Sequence, residues 1–302
     1  MIISVWLRII RIKFLLASII GITVALLFSF YSYGKFDMLS ALLTYIGVIF
    51  LHASVDLFND YWDYKRGIDT TTTRTKYSGG TGVLPEKKLA PRDVYNVGLF
   101  FMIVGLSIGG YFVIQNGIMI AVILAIAVFS IYFYSTKIVN VGLGETLVAI
   151  KGSMIVVGTS YVQTEIIDSS IVLLGFIIGM LSSLVLFIAS FPDHDADKAK
   201  GRKTLVILLG REKGSMIFPC IFLAIYALTA IGIFVNYIPV FALSVFITVP
   251  FALKAVTYLK DGYNDLEKTV NSISNTITFS RLFGVCLCLA YVPGILFILV
   301  KQ

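Results

Sequence analysis

The sequence predicts an all-α, polytopic membrane protein of nine transmembrane helices. Three observations carry this expectation. Hydrophobic residues make up 58% of the 302 and charged residues 14%, against roughly a quarter charged in an average globular domain. Apolar stretches of the roughly 17 to 25 residues that a helix needs to cross a bilayer recur along the whole chain. Clusters of turn residues separate them.

Met1 to Lys13 is basic and amphipathic, and the apolar run behind it is long enough to span rather than be cleaved as a signal peptide. Spans are expected over 14–31, 39–60, 93–114, 117–134, 144–163, 170–191, 215–234, 238–257 and 277–299. The first stops at Tyr33-Gly34-Lys35, and the second runs into an acidic cluster. The third ends at Gln115-Asn116-Gly117, and only a short loop with Lys137 separates the fourth from the fifth. The fifth ends near Asp168-Ser169-Ser170, the sixth runs into a second acidic cluster, and the seventh ends at Asn236-Tyr237-Ile238-Pro239. Cys220, Cys286 and Cys288 all lie in apolar runs and offer neither a disulfide framework nor zinc spacing, so they read as small buried hydrophobes. The whole chain, 1–302, reads as one integral membrane domain.

A net charge of +7 does not imply a nucleic-acid partner here, because the basic residues sit in short loops between spans, where topology explains them. The two acidic clusters end spans two and six, and even parity puts both on one face of the membrane. Of the 24 Lys and Arg residues, 20 fall on that face. The opposite face has Lys35 and Lys301, while Lys151 and Arg281 sit within spans. The positive-inside rule then places both clusters in the cytoplasm, with the cell membrane as the expected location.

The clusters carry the chemistry. The first is Asn59-Asp60-Tyr61-Trp62-Asp63 continuing to Gly67-Ile68-Asp69; the second is Asp193-His194-Asp195-Ala196-Asp197 continuing to Gly201-Arg202-Lys203-Thr204. Grouping carboxylates twice at a membrane edge is costly, and a bound divalent cation offsets that cost, since hard oxygen ligands suit Mg²⁺. Residues four apart share a helix face, so Asn59 pairs with Asp63 and Asp193 with Asp197, with Asp56 and Asp60 on nearby turns. The segments Asn59 to Thr70 and Asp193 to Thr204 match in spacing at an offset of 134 residues. This repeat suggests two related four-helix halves plus one helix, forming a bundle with the clusters facing over a central cavity. Such a site would hold Mg²⁺ around a diphosphate. A helix-end carboxylate in water is the plain alternative for either cluster alone, and the matched pair argues against it.

Cations for the phosphates are available in Arg74, Lys76, Lys203 and Lys137, with Arg11 and Lys13 at the threshold of span one. Lys137 is the sole charge in its loop, whereas Arg202, Lys87 and Lys88 read as topology signals. Within the spans, Lys151 and Glu145 read either as substrate-cavity residues or as a snorkelling or mutually paired couple. His52, two turns before Asn59, reads as a packing residue or a further cavity residue.

These motifs resemble the UbiA superfamily of intramembrane aromatic prenyltransferases across nearly the whole chain. Within it they are most similar to the menaquinone-type branch, 1,4-dihydroxy-2-naphthoate prenyltransferase and its relatives. Many members space the first motif Asn-x₃-Asp-x₃-Asp; here Gly67 stands at the third place and the acid comes at Asp69, as in the menaquinone branch. Gly201-Arg202-Lys203-Thr204-Leu205 through Leu209-Gly210, Gly142-Leu143-Gly144-Glu145 and Gly158 to Gln163 are also similar to that branch. The resemblance implies a nine-helix bundle around a lipid-open cavity, Mg²⁺ as cofactor, and a prenyl diphosphate donor of geranylgeranyl length or longer. It implies metal and diphosphate ligation by Asn59, Asp63, Asp193 and Asp197, supported by Asp60 and Asp69. Arg11 is similar to a first-helix arginine near the phosphates, and Tyr134 with Lys137 to a diphosphate-holding pair, at shorter spacing. Pro192 stands where an arginine often precedes the second motif. Asp63, Asp197 and Lys137 are thus the expected catalytic residues.

The expected reaction is electrophilic alkylation of an aromatic quinone precursor within membrane lipid. Transfer of geranylgeranyl to a glycerol-phosphate ether lipid is the nearest alternative, which the Gly67 and Asp69 spacing argues against. A cation or phosphate transporter is the other, and it would favour charges at the bilayer midplane, whereas these acids sit at one edge.

Overall fold

The computed structural model describes residues 2–69, 74–134 and 137–300. Regular structure among the described residues is helical throughout. The helices are α1 (Ile2–Ile9), α2 (Ile12–Tyr33), α3 (Met38–Lys65), α4 (Pro91–Asn116), α5 (Ile118–Phe133) and α6 (Gly144–Thr164). They continue with α7 (Ser169–Ala199), α8 (Leu205–Leu209), α9 (Arg211–Phe234), α10 (Val249–Gly262) and α11 (Leu266–Val300). Short 3₁₀ segments cover Ile138–Asn140 and Val240–Thr248. Among the described residues, seven helical segments are long and apolar enough to cross a membrane: α2, α3, α4, α7, α9, α11 and the stretch that ends in α10. The apolar α5 is shorter.

Local chemistry sets the helix ends. Asp37 caps α3 by accepting from the Ser40 amide at 2.7 Å, and Asp168 caps α7 by accepting from Ile171 at 2.9 Å. Gly34 ends α2 in the left-handed region, its N–H returning to the Phe30 carbonyl. Helix α7 runs well past the expected end at 191. Pro192 removes one rung of the ladder, yet the helix continues to Ala199 and carries Asp193 and Asp197 on regular turns. Helix α3 likewise continues through the first cluster to Lys65. Thr70, the last residue of the first repeat copy, lies outside the described residues.

Helices in lipid gain from close packing rather than from expelling water between them. The α6–α7 contact shows this: a Cβ on Gly179 would lie 2.2 Å from the Ala149 carbonyl oxygen, and one on Gly152 would lie 2.8 Å from Gly179 Cα. An aromatic core of Phe187, Phe191, Phe218, Phe222, Phe279 and Phe283 ties α7, α9 and α11 together. A smaller cluster of Ile9, Leu57, Val83, Leu84 and Val94 fastens α1 and the loop after α3 onto α3 and α4.

Several loops meet at the end where α3 and α7 finish. Glu86 receives Arg8 at 2.8 Å, Lys88 at 2.6 Å, and Arg74, which closes the loop after α3 over α1. Tyr77 bonds Ser274 of α11 at 3.1 Å, and Arg66 donates to Asn140 at 2.8 Å.

Candidate active site

One cavity of about 1020 Å³ opens among α2, α3, α5, α6 and α7, and Asn59, Asp63, Asp69, Asp193 and Asp197 all line it. The helical spacing accounts for the pairing: Asn59 and Asp63 lie one turn apart on α3, and Asp193 and Asp197 one turn apart on α7. Both acidic clusters thus line the one cavity. Farther from that end the wall is apolar, with Val48, Leu51, Ile108, Leu124, Ile155 and Leu181.

Arg202 joins the clusters. Its guanidinium donates to Asp63 Oδ1 and, at 3.2 Å, to Asp197 Oδ1. Only 13% of its side chain is exposed, so the two aspartates share a buried cation. Burial opposes the charge on Arg202, but Asp63 and Asp197 outweigh it and hold its pKa above the ordinary range. The sequence reads Arg202 as a topology signal; it follows a turn at Gly201, with φ +79, and no sequence pattern aims its side chain between the carboxylates.

Arg11 meets Asp60 at 2.6 Å, and Thr81 donates to the other Asp60 oxygen. Asp60 is buried and does not line the cavity, so it anchors Arg11, which does. Burial works against the Arg11 charge too, and Asp60 and Asp56 outweigh it. The run Ser78-Gly79-Gly80-Thr81-Gly82 lies directly on the acids. The Gly79 amide donates to Asp193 Oδ2 at 3.1 Å. Gly80 has φ +71, and a Cβ there would lie 2.5 Å from Asp69 Oδ1. Only glycine lets the backbone come so close. Closely spaced glycines mark a turn in a sequence, but not what the turn touches.

The donor set fits a divalent cation in one respect and qualifies it in another. Among the described residues, Asp69 Oδ2 and Asp193 Oδ1 are buried acceptors with no hydrogen-bond donor, which is costly without a counter-charge. Burial, with repulsion from Asp63 and Asp60, pushes Asp69 up to about 7. Among the described residues, however, no three His, Cys, Asp or Glu side chains converge as a ready-made chelate. That arrangement suits Mg²⁺, which takes one or two carboxylates and completes its shell with water and phosphate oxygens.

The remaining expected residues divide. Arg74, Lys76 and Lys203 line the cavity; Arg74 also bonds Glu86, and the Lys76 ammonium lies 5.2 Å from the Tyr77 ring. Tyr134 lines it as well, but its cationic neighbour is Lys151, with the ammonium 5.2 Å from the ring centroid. Lys137 is exposed, rests 5.2 Å over the Phe133 ring and is not in the cavity wall. Lys137 thus lies over Phe133 and Lys151 beside Tyr134, whereas the resemblance implies a Tyr134–Lys137 pair. Glu145 is buried and accepts from the Leu205 amide at 3.0 Å, fastening α8 to α6, with no ion pair to Lys151 among the described residues. His52 lines the cavity and bonds Ser18 at 2.7 Å.

Comparison with known proteins places this arrangement. A sequence profile of the UbiA prenyltransferase family matches residues 18–298. The chain is 26% identical over 263 residues to 1,4-dihydroxy-2-naphthoate octaprenyltransferase of Bacillus subtilis (strain 168), covering 84% of this chain and 82% of the relative. Its fold is similar to a UbiA homologue from Archaeoglobus fulgidus solved with GPP and Mg²⁺, with a TM-score of 0.61, 13% identity, and 94% and 99% of the two chains covered. A solved digeranylgeranylglyceryl phosphate synthase gives a TM-score of 0.63 at 19% identity over 97% and 98% of the two chains.

Proposed function

The chain belongs to the UbiA prenyltransferase family, and from that premise we propose that it moves a polyprenyl group from its diphosphate to a naphthoate-like aromatic ring inside the membrane. The observation that carries the reading is the meeting of both acidic clusters in one cavity, with buried carboxylate oxygens left without donors. Asn59, Asp63, Asp69, Asp193 and Asp197 would hold Mg²⁺, which when bound neutralises charge on the diphosphate leaving group. Arg11, Arg202, Lys203, Arg74 and Lys76 stand around the same end as phosphate partners. Arg202 fixes Asp63 and Asp197 at a set separation, and the loop from Ser78 to Gly82 covers them from the solvent side. The apolar wall takes the prenyl chain and keeps water from the electron-poor allylic carbon that forms as diphosphate departs. A ring carbon of the acceptor attacks that carbon, and the ring then loses a proton.

Nine crossings, counting α5 and α6 with the seven long apolar segments, agree with the basic loops lying on the acidic-cluster side. The active-site end then faces the cytoplasm of a plasma-membrane enzyme. The test is transfer of label from radioactive geranylgeranyl diphosphate by purified protein in detergent, offered dihydroxynaphthoate, other phenolic acids and glycerol phosphates. Mg²⁺-dependent label on the naphthoate is expected. Label only on a glycerol phosphate, or on nothing, would overturn the reading.

A further inference from the structure

Behind the acidic end, the cavity wall carries a second polar patch that the diphosphate chemistry leaves unused. Lys151 on α6 and Asp56 and His52 on α3 all line the cavity. Ionisable groups within spans are costly and need a reason. The Lys151 ammonium lies 5.2 Å from the Tyr134 ring centroid and has no hydrogen bond or ion pair among the described residues. Among the described residues, Asp56 Oδ2 is buried without a donor. His52 Nε2 stops 4.0 Å from it, the His52 ring being turned by its 2.7 Å bond to Ser18. Among the described residues, Lys151 and Asp56 do not close into a salt bridge. An uncompleted cation and an uncompleted anion therefore face one cavity.

We propose that this patch holds the naphthoate-like acceptor by its two kinds of polar group. Its carboxylate pairs with Lys151 and its hydroxyl donates to Asp56. The proposal rests on the prenyl-transfer reading of the same cavity. Asp56 lies one helical turn and His52 two turns before Asn59, about 5 and 10 Å along the axis. A ring held there sits next to the first carbon of a prenyl chain whose diphosphate occupies the acidic end. A hydroxyl donating to a carboxylate gains oxyanion character and sends electron density into the ring, which favours attack by a ring carbon. Tyr134 gives the ring and the Lys151 ammonium a common aromatic face. Lys151, Asp56 and His52 act here as positioning and specificity residues.

Two acceptors separate the roles: a hydroxynaphthoic acid and the same naphthol without its carboxylate, each assayed with labelled geranylgeranyl diphosphate and Mg²⁺. Lys151→Met is expected to lower kcat/KM for the carboxylated ring at least tenfold more than for the plain naphthol, with the donor KM within twofold of wild type. Lys151→Arg is expected to recover most of the preference. Asp56→Asn is expected to lower kcat for both rings, since both carry the hydroxyl. An equal loss on both rings in Lys151→Met, or a donor KM that rises in step, overturns the recognition site while leaving prenyl transfer standing. Wild-type protein that prenylates neither ring overturns both readings.

Discussion

Replacing Arg202 with glutamine probes the joint between the acidic clusters. The side chain is 13% exposed, and its partners Asp63 and Asp197 are 6% and 5% exposed, so solvent screens the contacts little. At the 3.2 Å separation from Asp197, and an effective dielectric of about 20, one contact is worth about 5 kcal/mol before desolvation. Desolvation of the guanidinium cancels part of that, and removing one partner of a buried pair typically costs about 3–5 kcal/mol. Two buried carboxylates would then face each other without a cation. The expected result in EDTA is a melting temperature lower than wild type by roughly 5–10 °C. Adding Mg²⁺ should recover much of the loss, because a ligand at a hundred times its Kd stabilises by about 2.7 kcal/mol. The Mg²⁺-induced rise should also be larger in the variant, since Arg202 no longer repels the ion. Thermal unfolding in detergent, with millimolar Mg²⁺ or with EDTA, gives the comparison. Equal melting temperatures in EDTA, or an equal rise with Mg²⁺ in both proteins, would refute the joint.

Gly80→Ala adds a Cβ at φ +71 and within 2.5 Å of Asp69 Oδ1, so the loop must lift; the donor KM is expected to rise about tenfold, worth ~1.4 kcal/mol, in steady-state kinetics. Gly179→Ala forces α6 and α7 apart, since its Cβ would lie 2.2 Å from the Ala149 carbonyl, and overpacking of this kind typically costs about 1–3 kcal/mol, read as a lower melting temperature. Glu86 is held at about 2, below its usual 4.5, by Arg8, Lys88 and Arg74. Its folded value is depressed, so the clamp is fully present above the ordinary carboxylate range and is lost as pH falls towards 2. Hydrogen exchange over 74–88 should accelerate through that window, and Glu86→Gln should remove the pH step.

Seven of the nine expected spans are legible as long apolar runs, and the acidic pairs as residues one helical turn apart. Asn59 with Asp63, and Asp193 with Asp197, are one turn apart wherever a helix forms, and the helices do extend through both clusters. The span expected to end at 191 marks the end of the apolar run and not of α7, which continues past Pro192 to Ala199. The partners of loop residues were not legible. Arg202 sits beyond a glycine turn, and whether it points to solvent or between Asp63 and Asp197 depends on how α8 docks through Glu145. Lys137 and Lys151 are an instance of the same limit: the resemblance implies Lys137 for Tyr134, while tertiary packing brings Lys151 to the ring. The glycine run at 78–82 announces a turn, but only tertiary packing lays it on Asp69 and Asp193.

The central claim is that the two clusters form one metal-diphosphate site. It is tested most directly by binding of a non-reactive prenyl thiodiphosphate with Mn²⁺ as a stand-in for Mg²⁺, followed by calorimetry and by Mn²⁺ spectroscopy. Wild-type protein should bind the analogue only with the metal, and Asp63→Asn and Asp197→Asn should each abolish that binding although they lie on different helices. Wild-type affinity in either variant, or equal binding in EDTA, would contradict the claim.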